Sequence, residues 1–207
     1  MLWVPGATAG IEWVETWRDA LSLRASESHD VYFRDVRVPA DHLIQRGQDH
    51  LSSQNAWFPL IYTATYLGAA FAARSVLIKY ALERVPTALG KPIATLSSIQ
   101  RQIGEIDVTL QAARALLFEV AQAWADSRPD DRNQVYPRVA AAKSFVIDAA
   151  CAATEKALRA AGGASLTPAL SLERHFRDVR AGLMHPPSGE AALEAVGQAA
   201  IAAIKGD

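Results

Sequence analysis

The feature that most constrains the fold is a helical pattern of apolar and small residues that runs from about Gln54 to the C-terminal end. Between residues 56 and 84 such residues recur every three or four positions, for example at Leu60, Leu67 and Leu77. This spacing places them on one face of an α-helix. Pro86 ends the pattern, because proline has no backbone N–H and clashes with the preceding helical turn. The segment therefore predicts a first long helix.

Further helices are predicted over residues 95–124, 136–161, 170–176 and 188–205. Thr95 is the expected N-cap of the second helix, because a threonine hydroxyl can accept a hydrogen bond from a free N–H of the first turn. The third helix is expected to end at Gly162-Gly163, where a residue can take the left-handed conformation. Alanine-rich stripes on the long helices permit close approach of their axes. The sequence thus predicts a mainly α chain folded as an antiparallel four-helix bundle.

The first 44 residues have a different character. They contain three of the five tryptophans and two β-type stretches, residues 11–16 and 30–38, the second of which stops at Pro39. Two or three strands do not form a stable sheet alone. We therefore divide the chain into a short β segment, residues 1–44, and a helical domain, residues 45–207.

Composition argues against several classes of partner. The 21 Lys and Arg residues nearly cancel the 22 Asp and Glu residues, so no strong field attracts nucleic acid or an anionic membrane. One cysteine, Cys151, cannot form a disulfide framework within the chain. No two histidines share a metal-ligand spacing with a carboxylate, and no basic, apolar leader is visible. We expect no metal, no membrane and a cytoplasmic location.

Several short motifs occur in an order that is typical of one family. The segments are Leu23–Val31 followed by Phe33–Ala40, then Lys79–Arg84, Gly90–Ile93, Gly162-Gly163 and Arg177–Arg180. Together they resemble the acyl-CoA dehydrogenase superfamily from about Leu23 to the C-terminal end. The resemblance implies that residues 1–44 are a remnant of the middle β-domain and that the rest is the C-terminal helical domain. It also implies a flavin-dependent oxidoreductase as the parent enzyme, with this part inactive alone.

The same resemblance implies a cofactor site for FAD or reduced FMN. In the family the flavin lies between the β-domain and the bundle, while its ADP part is held largely by a neighbouring subunit. The matching positions here are Arg84, Lys91, Gly162 and Gly163. Arginine and lysine suit a pyrophosphate, and glycine lets the backbone approach a cofactor. Each position also has a simpler reading, as a solvated helix-end charge or as an ordinary C-cap.

The family's catalytic carboxylate has no counterpart at its usual places. The glutamate of the family's Tyr-Glu-Gly-Thr motif falls on Pro186, and the alternative position on the first bundle helix falls on Phe58. The run Arg177–His185 instead resembles the Arg-Asp-x-x-Ala-Gly-x-x-His motif of two-component flavin monooxygenases, whose histidine faces the flavin. An imidazole can donate or accept a proton near neutral pH. His185 is therefore the predicted catalytic residue.

Three functions stay open at this point. The parent enzyme is a flavin monooxygenase or a related non-dehydrogenating oxidoreductase, or it is an acyl-CoA dehydrogenase whose base comes from elsewhere. Alternatively, the chain is a non-catalytic subunit that serves oligomerisation. In each case the resemblance implies a homo-oligomer, at least a dimer. The substrate, an acyl-CoA or another small molecule, cannot be read from these residues.

Overall fold

A computed structural model describes residues 1–44 and 56–205. The chain divides into two compact units, Met1–Asn55 and Ala56–Asp207. The domain boundary predicted after residue 44 falls at the edge of residues 45–55, which lie outside the described part of the chain.

The first unit contains a small antiparallel hairpin. Strand β1 covers Ile11–Val14 and strand β2 covers Asp30–Phe33, with Ile11 opposite Phe33 and Val14 opposite Asp30. The prediction of a strand as far as residue 38 is wrong. Asp35 adopts a φ of 49°, and a left-handed residue cannot continue an extended strand.

The second unit is helical. Its long helices are α1 (Trp57–Glu83), α2 (Ser97–Asp126), α3 (Arg132–Ala161) and α6 (Gly189–Lys205), and two short helices, α4 (Leu172–Asp178) and α5 (Ala181–Met184), lie between α3 and α6. The predicted mainly α, four-helix fold is confirmed. The short segment predicted over 170–176 is present as α4, and α5 extends the helical part towards residue 185.

Contacts between the long helices fix their directions. Arg74 on α1 pairs with Asp107 on α2 at 2.5 Å, while Trp57, at the start of α1, lies beside Leu117 near the end of α2. Ion pairs from Glu105 to Lys156 and from Glu119 to Arg138 join α2 to α3 in the same crossed order. Helix α2 is therefore antiparallel to both neighbours, and α1 and α3 run parallel to each other.

Helix α3 lies at the centre of the bundle and contacts α1, α2, α4, α5 and α6. Its twelve buried residues are Val139, Ala140, Ala142, Lys143, Val146, Ile147, Ala149, Ala150, Ala153, Thr154, Ala157 and Ala161. Seven of the twelve are alanine, which lets five neighbours approach one axis closely. Larger core side chains come from the surrounding helices, among them Leu77, Leu110 and Trp124.

Two predicted helix starts need correction. Thr95 does not cap α2: its hydroxyl donates to the Pro92 carbonyl at 2.8 Å within a preceding 3-10 turn, and α2 begins at Ser97. Helix α3 begins at Arg132, four residues earlier than predicted, directly after a 3-10 turn over Pro129–Asp131. Pro137 removes one hydrogen bond from its second turn, but the helix continues through it.

Helix α1 is also long and apolar enough to cross a membrane by length and composition alone. Nine of its residues are buried, and they recur at helical spacing from Pro59 to Ala81. The helix contacts α2, α3 and α4, as a core helix of a bundle does. The absence of a membrane partner stays a prediction.

Candidate active site around His185

His185 follows α5 directly and lies against the first turns of α1. Its ring centroid is 4.8 Å from that of Tyr62 and 5.7 Å from that of Tyr66. The Tyr66 hydroxyl is 3.5 Å from Nε2 of His185, which is a long contact for a hydrogen bond. The Tyr62 hydroxyl donates a hydrogen bond to the carbonyl of Pro186. The two tyrosines therefore fix the segment that carries the predicted catalytic residue.

Helical geometry explains why both tyrosines face His185. Residues four apart lie on the same face of a helix, one turn above each other, and Tyr62 and Tyr66 have this spacing on α1. Phe58 continues the row, with its ring centroid 5.3 Å from that of Tyr62. Phe58 and Pro186 are the two positions that the family resemblance assigns to the catalytic carboxylate. The structure brings both positions to Tyr62, and neither residue can accept a proton.

Gly182 sets the distance between α5 and its neighbours. A Cβ atom placed on it would lie 2.6 Å from Cδ1 of Ile147 on α3 and 3.0 Å from Cδ2 of Tyr66 on α1. Such contacts are too short for carbon atoms, so a larger residue here would require the Ile147 or Tyr66 side chain, or α5 itself, to shift. The glycine thus lets α5 enter the groove between α1 and α3, and His185 follows three residues later.

Burial controls the protonation of this cluster. Burial lowers the pKa of the His185 imidazole, and the positive charge of Lys143 lowers it further. Burial raises the pKa of the Tyr66 hydroxyl, and the negative charge of Asp178 raises it further. Burial also raises the pKa of Tyr62. At neutral pH the site therefore holds a neutral imidazole between two neutral phenols, an arrangement that can both donate and accept protons.

The predicted cofactor-binding residues lie at the other end of the bundle. Arg84 follows the last residue of α1, Lys91 lies in the connection to α2, and Gly162 and Gly163 follow the last residue of α3. Because α1 and α3 are parallel, these residues share one end. The 18 residues from Tyr66 to Arg84 rise about 27 Å along a helix. The structure therefore does not bring Arg84, Lys91, Gly162 or Gly163 to His185 within one chain.

His29 belongs to the first unit. Its Nδ1 accepts a hydrogen bond from the backbone N–H of Trp17 at 3.1 Å. With Arg18 and Arg24 it lines an open cleft of that unit. This hydrogen bond gives His29 a role in holding the local chain.

Sequence reasoning missed three residues of the site: Tyr62, Tyr66 and Lys143. The four-residue spacing of the tyrosines on an otherwise apolar helix was an available signal. So was Lys143, a lysine set in a row of alanine and valine residues that the helical period predicts to be buried. Among residues 1–44 and 56–205 the structure shows no group of three or more His, Cys, Asp or Glu side chains placed to hold a metal.

Comparison with known proteins agrees with this architecture. Residues 60–187 match the family described as acyl-CoA dehydrogenase, C-terminal domain. A putative acyl-CoA dehydrogenase of Bacillus subtilis (strain 168) is 36% identical over 185 residues, which cover 89% of this chain and 48% of that protein. The chain spans about half the length, or less, of these curated relatives.

Two solved structures show the same fold. Butyryl-CoA dehydrogenase from Megasphaera elsdenii superimposes with a TM-score of 0.77 at 23% identity, over 97% of this chain and 51% of that one. Dibenzothiophene monooxygenase from Paenibacillus sp. A11-2 superimposes with a TM-score of 0.77 at 27% identity, over 95% and 54%. The family match, the 36% identity and the shared helical architecture lead to one conclusion: this chain belongs to the acyl-CoA dehydrogenase family and carries that family's C-terminal domain.

Proposed function

We propose that this chain is the C-terminal helical part of a cytoplasmic flavin-dependent oxidoreductase that works as a monooxygenase or in a related non-dehydrogenating way, with His185 as its catalytic residue. One observation carries the proposal. Phe58 and Pro186, the two positions that would supply a carboxylate base, both lie beside Tyr62, and so does the His185 imidazole, the group of this cluster suited to proton transfer near neutral pH. Proton transfer at this place therefore falls to an imidazole.

The surroundings of His185 suit a proton donor and acceptor. A neutral imidazole has one N–H donor and one acceptor nitrogen, and burial with Lys143 nearby keeps it neutral. Tyr66 approaches Nε2 and orients the ring, while Tyr62 holds the following backbone through the Pro186 carbonyl. When bound, the flavin supplies the redox chemistry. His185 then moves a proton, and the tyrosines keep its ring in place.

The residues at the far end of the bundle fit a flavin phosphate. Arg84 and Lys91 are exposed, and neither forms an ion pair with the described residues. Gly162 has a φ of 63°, and within the described residues a Cβ atom on Gly163 would meet no atom beyond its chain neighbours within 4 Å. The exposed turn at residues 162–163 therefore leaves room for a group from outside. These residues would hold the phosphates.

A homo-oligomer follows from the same geometry as part of the proposal. His185 and the Arg84 end are about 27 Å apart along the bundle. Two copies can bring the phosphate-binding end of one chain to the His185 end of the other, so each flavin would contact two chains. The solved relatives include dibenzothiophene monooxygenase, one structure of which is described as FMN-bound. For this chain we propose FAD or reduced FMN.

A second candidate function is supported by the sequence relatives. The 36% identity to a putative acyl-CoA dehydrogenase favours an acyl-CoA dehydrogenase whose base is supplied from elsewhere. The two candidates differ in how the flavin becomes reduced. A dehydrogenase reduces its flavin with the substrate itself, whereas a two-component monooxygenase receives reduced flavin from outside.

Anaerobic flavin reduction distinguishes the two candidates. With the flavin-loaded whole protein that contains this chain, we expect a panel of short- and medium-chain acyl-CoA thioesters to leave the oxidised flavin spectrum unchanged, because no carboxylate base acts at the site. Dithionite should bleach the same sample, which shows that the flavin is reducible. Bleaching by any acyl-CoA in the panel would overturn the monooxygenase proposal and support the dehydrogenase.

The 207-residue chain alone is expected to retain much less than one flavin per chain and to form at least a dimer. In this family one face of the flavin rests on the β-domain, and binding depends on burying most of a ligand against preformed walls. At about 0.3 kcal/mol per ligand atom, exposure of half of a flavin nucleotide raises Kd by a few orders of magnitude.

The measurement is to mix the chain with excess FAD or FMN, desalt it, and record the visible spectrum together with the molar mass by light scattering. A stoichiometric yellow complex would show a whole site in this chain and contradict its inactivity alone. A stable monomer would contradict the homo-oligomer. If the chain forms a flavin-free oligomer and the whole protein that contains it also binds no flavin, the result would favour the non-catalytic subunit.

A further inference from the structure

Lys143 is a buried cation in the middle of α3. Only 2% of the residue is exposed, and no hydrogen bond or ion pair joins its ammonium group to the described residues. A lysine with so little exposed surface and no such partner is uncommon. Burial accordingly lowers its pKa, while Asp148, one turn further along the same helix and exposed, acts in the opposite direction. Packing alone does not account for a lysine in this row, because its neighbours are alanine and valine.

The helix directions place Lys143 at the level of His185. Gly182 contacts both Ile147 on α3 and Tyr66 on α1, so these two residues lie at the same height. Helices α1 and α3 are parallel. One turn towards the N-terminal end, Ile147 is followed by Lys143 on α3 and Tyr66 by Tyr62 on α1, so these two residues also lie at one height. His185 rests its ring on Tyr62 and Tyr66. The backbone of Lys143 therefore lies at the level of the imidazole along the bundle.

The charged and titratable groups around His185 come from three other elements. Tyr62 and Tyr66 face it from α1, and both are neutral phenols at neutral pH. Helix α3 contributes Lys143 and also Tyr136, whose charge raises the pKa of Tyr62. Helix α4 contributes Asp178, whose charge raises the pKa of Tyr66. Lys143 is the neighbour whose charge acts on the His185 imidazole itself, and it disfavours a second proton on the ring.

We propose that Lys143 acts electrostatically on His185: its positive charge, at the level of the ring in the same groove, adds to burial in disfavouring a second proton on the imidazole. The inference rests on the proposed function of His185, but it concerns only the protonation of the ring. A singly protonated ring keeps one nitrogen free to accept a proton. Loss of the Lys143 charge would leave the ring in place and let it take up a second proton at higher pH.

NMR titration of the imidazole groups in the 207-residue chain tests this without any flavin or turnover. The His185 signals are assigned by their loss in His185→Gln. In Lys143→Met, which keeps the length of the side chain and removes the charge, we expect His185 to titrate at a higher pH than in the wild type. Lys143→Arg retains the charge and should restore the wild-type titration. Lys156→Met removes a lysine charge further along α3, and it should leave the titration of His185 unchanged.

Three results would overturn the proposal. In the first, His185 titrates at the wild-type pH in Lys143→Met. In the second, Lys143→Arg raises the pH at which His185 titrates as much as Lys143→Met does. That result would show a packing role without a charge effect. In the third, Lys156→Met has the same effect as Lys143→Met. If Lys143→Met does not fold by circular dichroism, Lys143→Gln replaces it with the same expected result. A failure of the proposed function would instead appear as acyl-CoA bleaching of the flavin, with the His185 titration unaffected.

Discussion

Replacement of His185 by glutamine is expected to lower the turnover of the flavin-loaded whole protein by about 10²- to 10⁴-fold, which is the usual contribution of a positioned acid or base. Glutamine can still form a hydrogen bond with Tyr66, but it cannot transfer a proton at neutral pH. The side chain is only half-buried, so the melting temperature should change little. Steady-state turnover and thermal unfolding of the same preparation measure both effects.

His175→Gln is the matched control for that variant. His175 is also half-buried, and burial also lowers its pKa, but it lies on α4 and has no ring contact with Tyr62 or Tyr66 within the described residues. Its turnover should stay within a few-fold of the wild type. Equal turnover of His185→Gln and the wild type would remove His185 from the mechanism.

The second large effect concerns stability. Gly182→Ala is expected to lower the free energy of unfolding by about 1–3 kcal/mol, the usual cost of overpacking a tight core. The added methyl group would lie 2.6 Å from Ile147 and 3.0 Å from Tyr66, so these side chains or α5 itself have to shift. Urea unfolding of the 207-residue chain, followed by circular dichroism, measures the change.

Gly104→Ala provides the opposite control. Gly104 is an exposed residue within α2, and a Cβ atom there would meet nothing within 4 Å. Alanine favours a helix over glycine, so this variant should be neutral or more stable by about 0.4–1 kcal/mol. If Gly182→Ala and Gly104→Ala change the unfolding free energy equally, close packing at Gly182 is not what positions α5.

The helices could be predicted from sequence because each has a clear period and a clear end. Pro86 and Gly162 mark the ends of α1 and α3 within a few residues. The ends that failed depended on single backbone conformations. Asp35 takes a left-handed conformation and stops β2 early, and Thr95 turns its hydroxyl to Pro92 instead of capping α2. Residue type alone does not fix either choice.

The candidate site was only partly predictable for a different reason. His185 was found because its motif is local, nine residues from Arg177 to His185. Its contacts with Tyr62 and Tyr66 join residues 123 and 119 positions apart in the chain, and no local pattern records such a pairing. The separation of Arg84 from His185 likewise depends on where the His185 segment meets α1, which becomes known only when the bundle is assembled.

The composition of α3 has a consequence for the conformational entropy of folding. Seven of its twelve buried residues are alanines, and four more are the β-branched residues Val139, Val146, Ile147 and Thr154. Alanine has no side-chain rotamers to lose, and β-branched residues have few. The twelfth is Lys143, whose long side chain loses about 1.5–2 kcal/mol of rotamer freedom when it is fixed. In the central helix of the bundle, the buried position with the greatest entropic cost is thus the one at the level of His185.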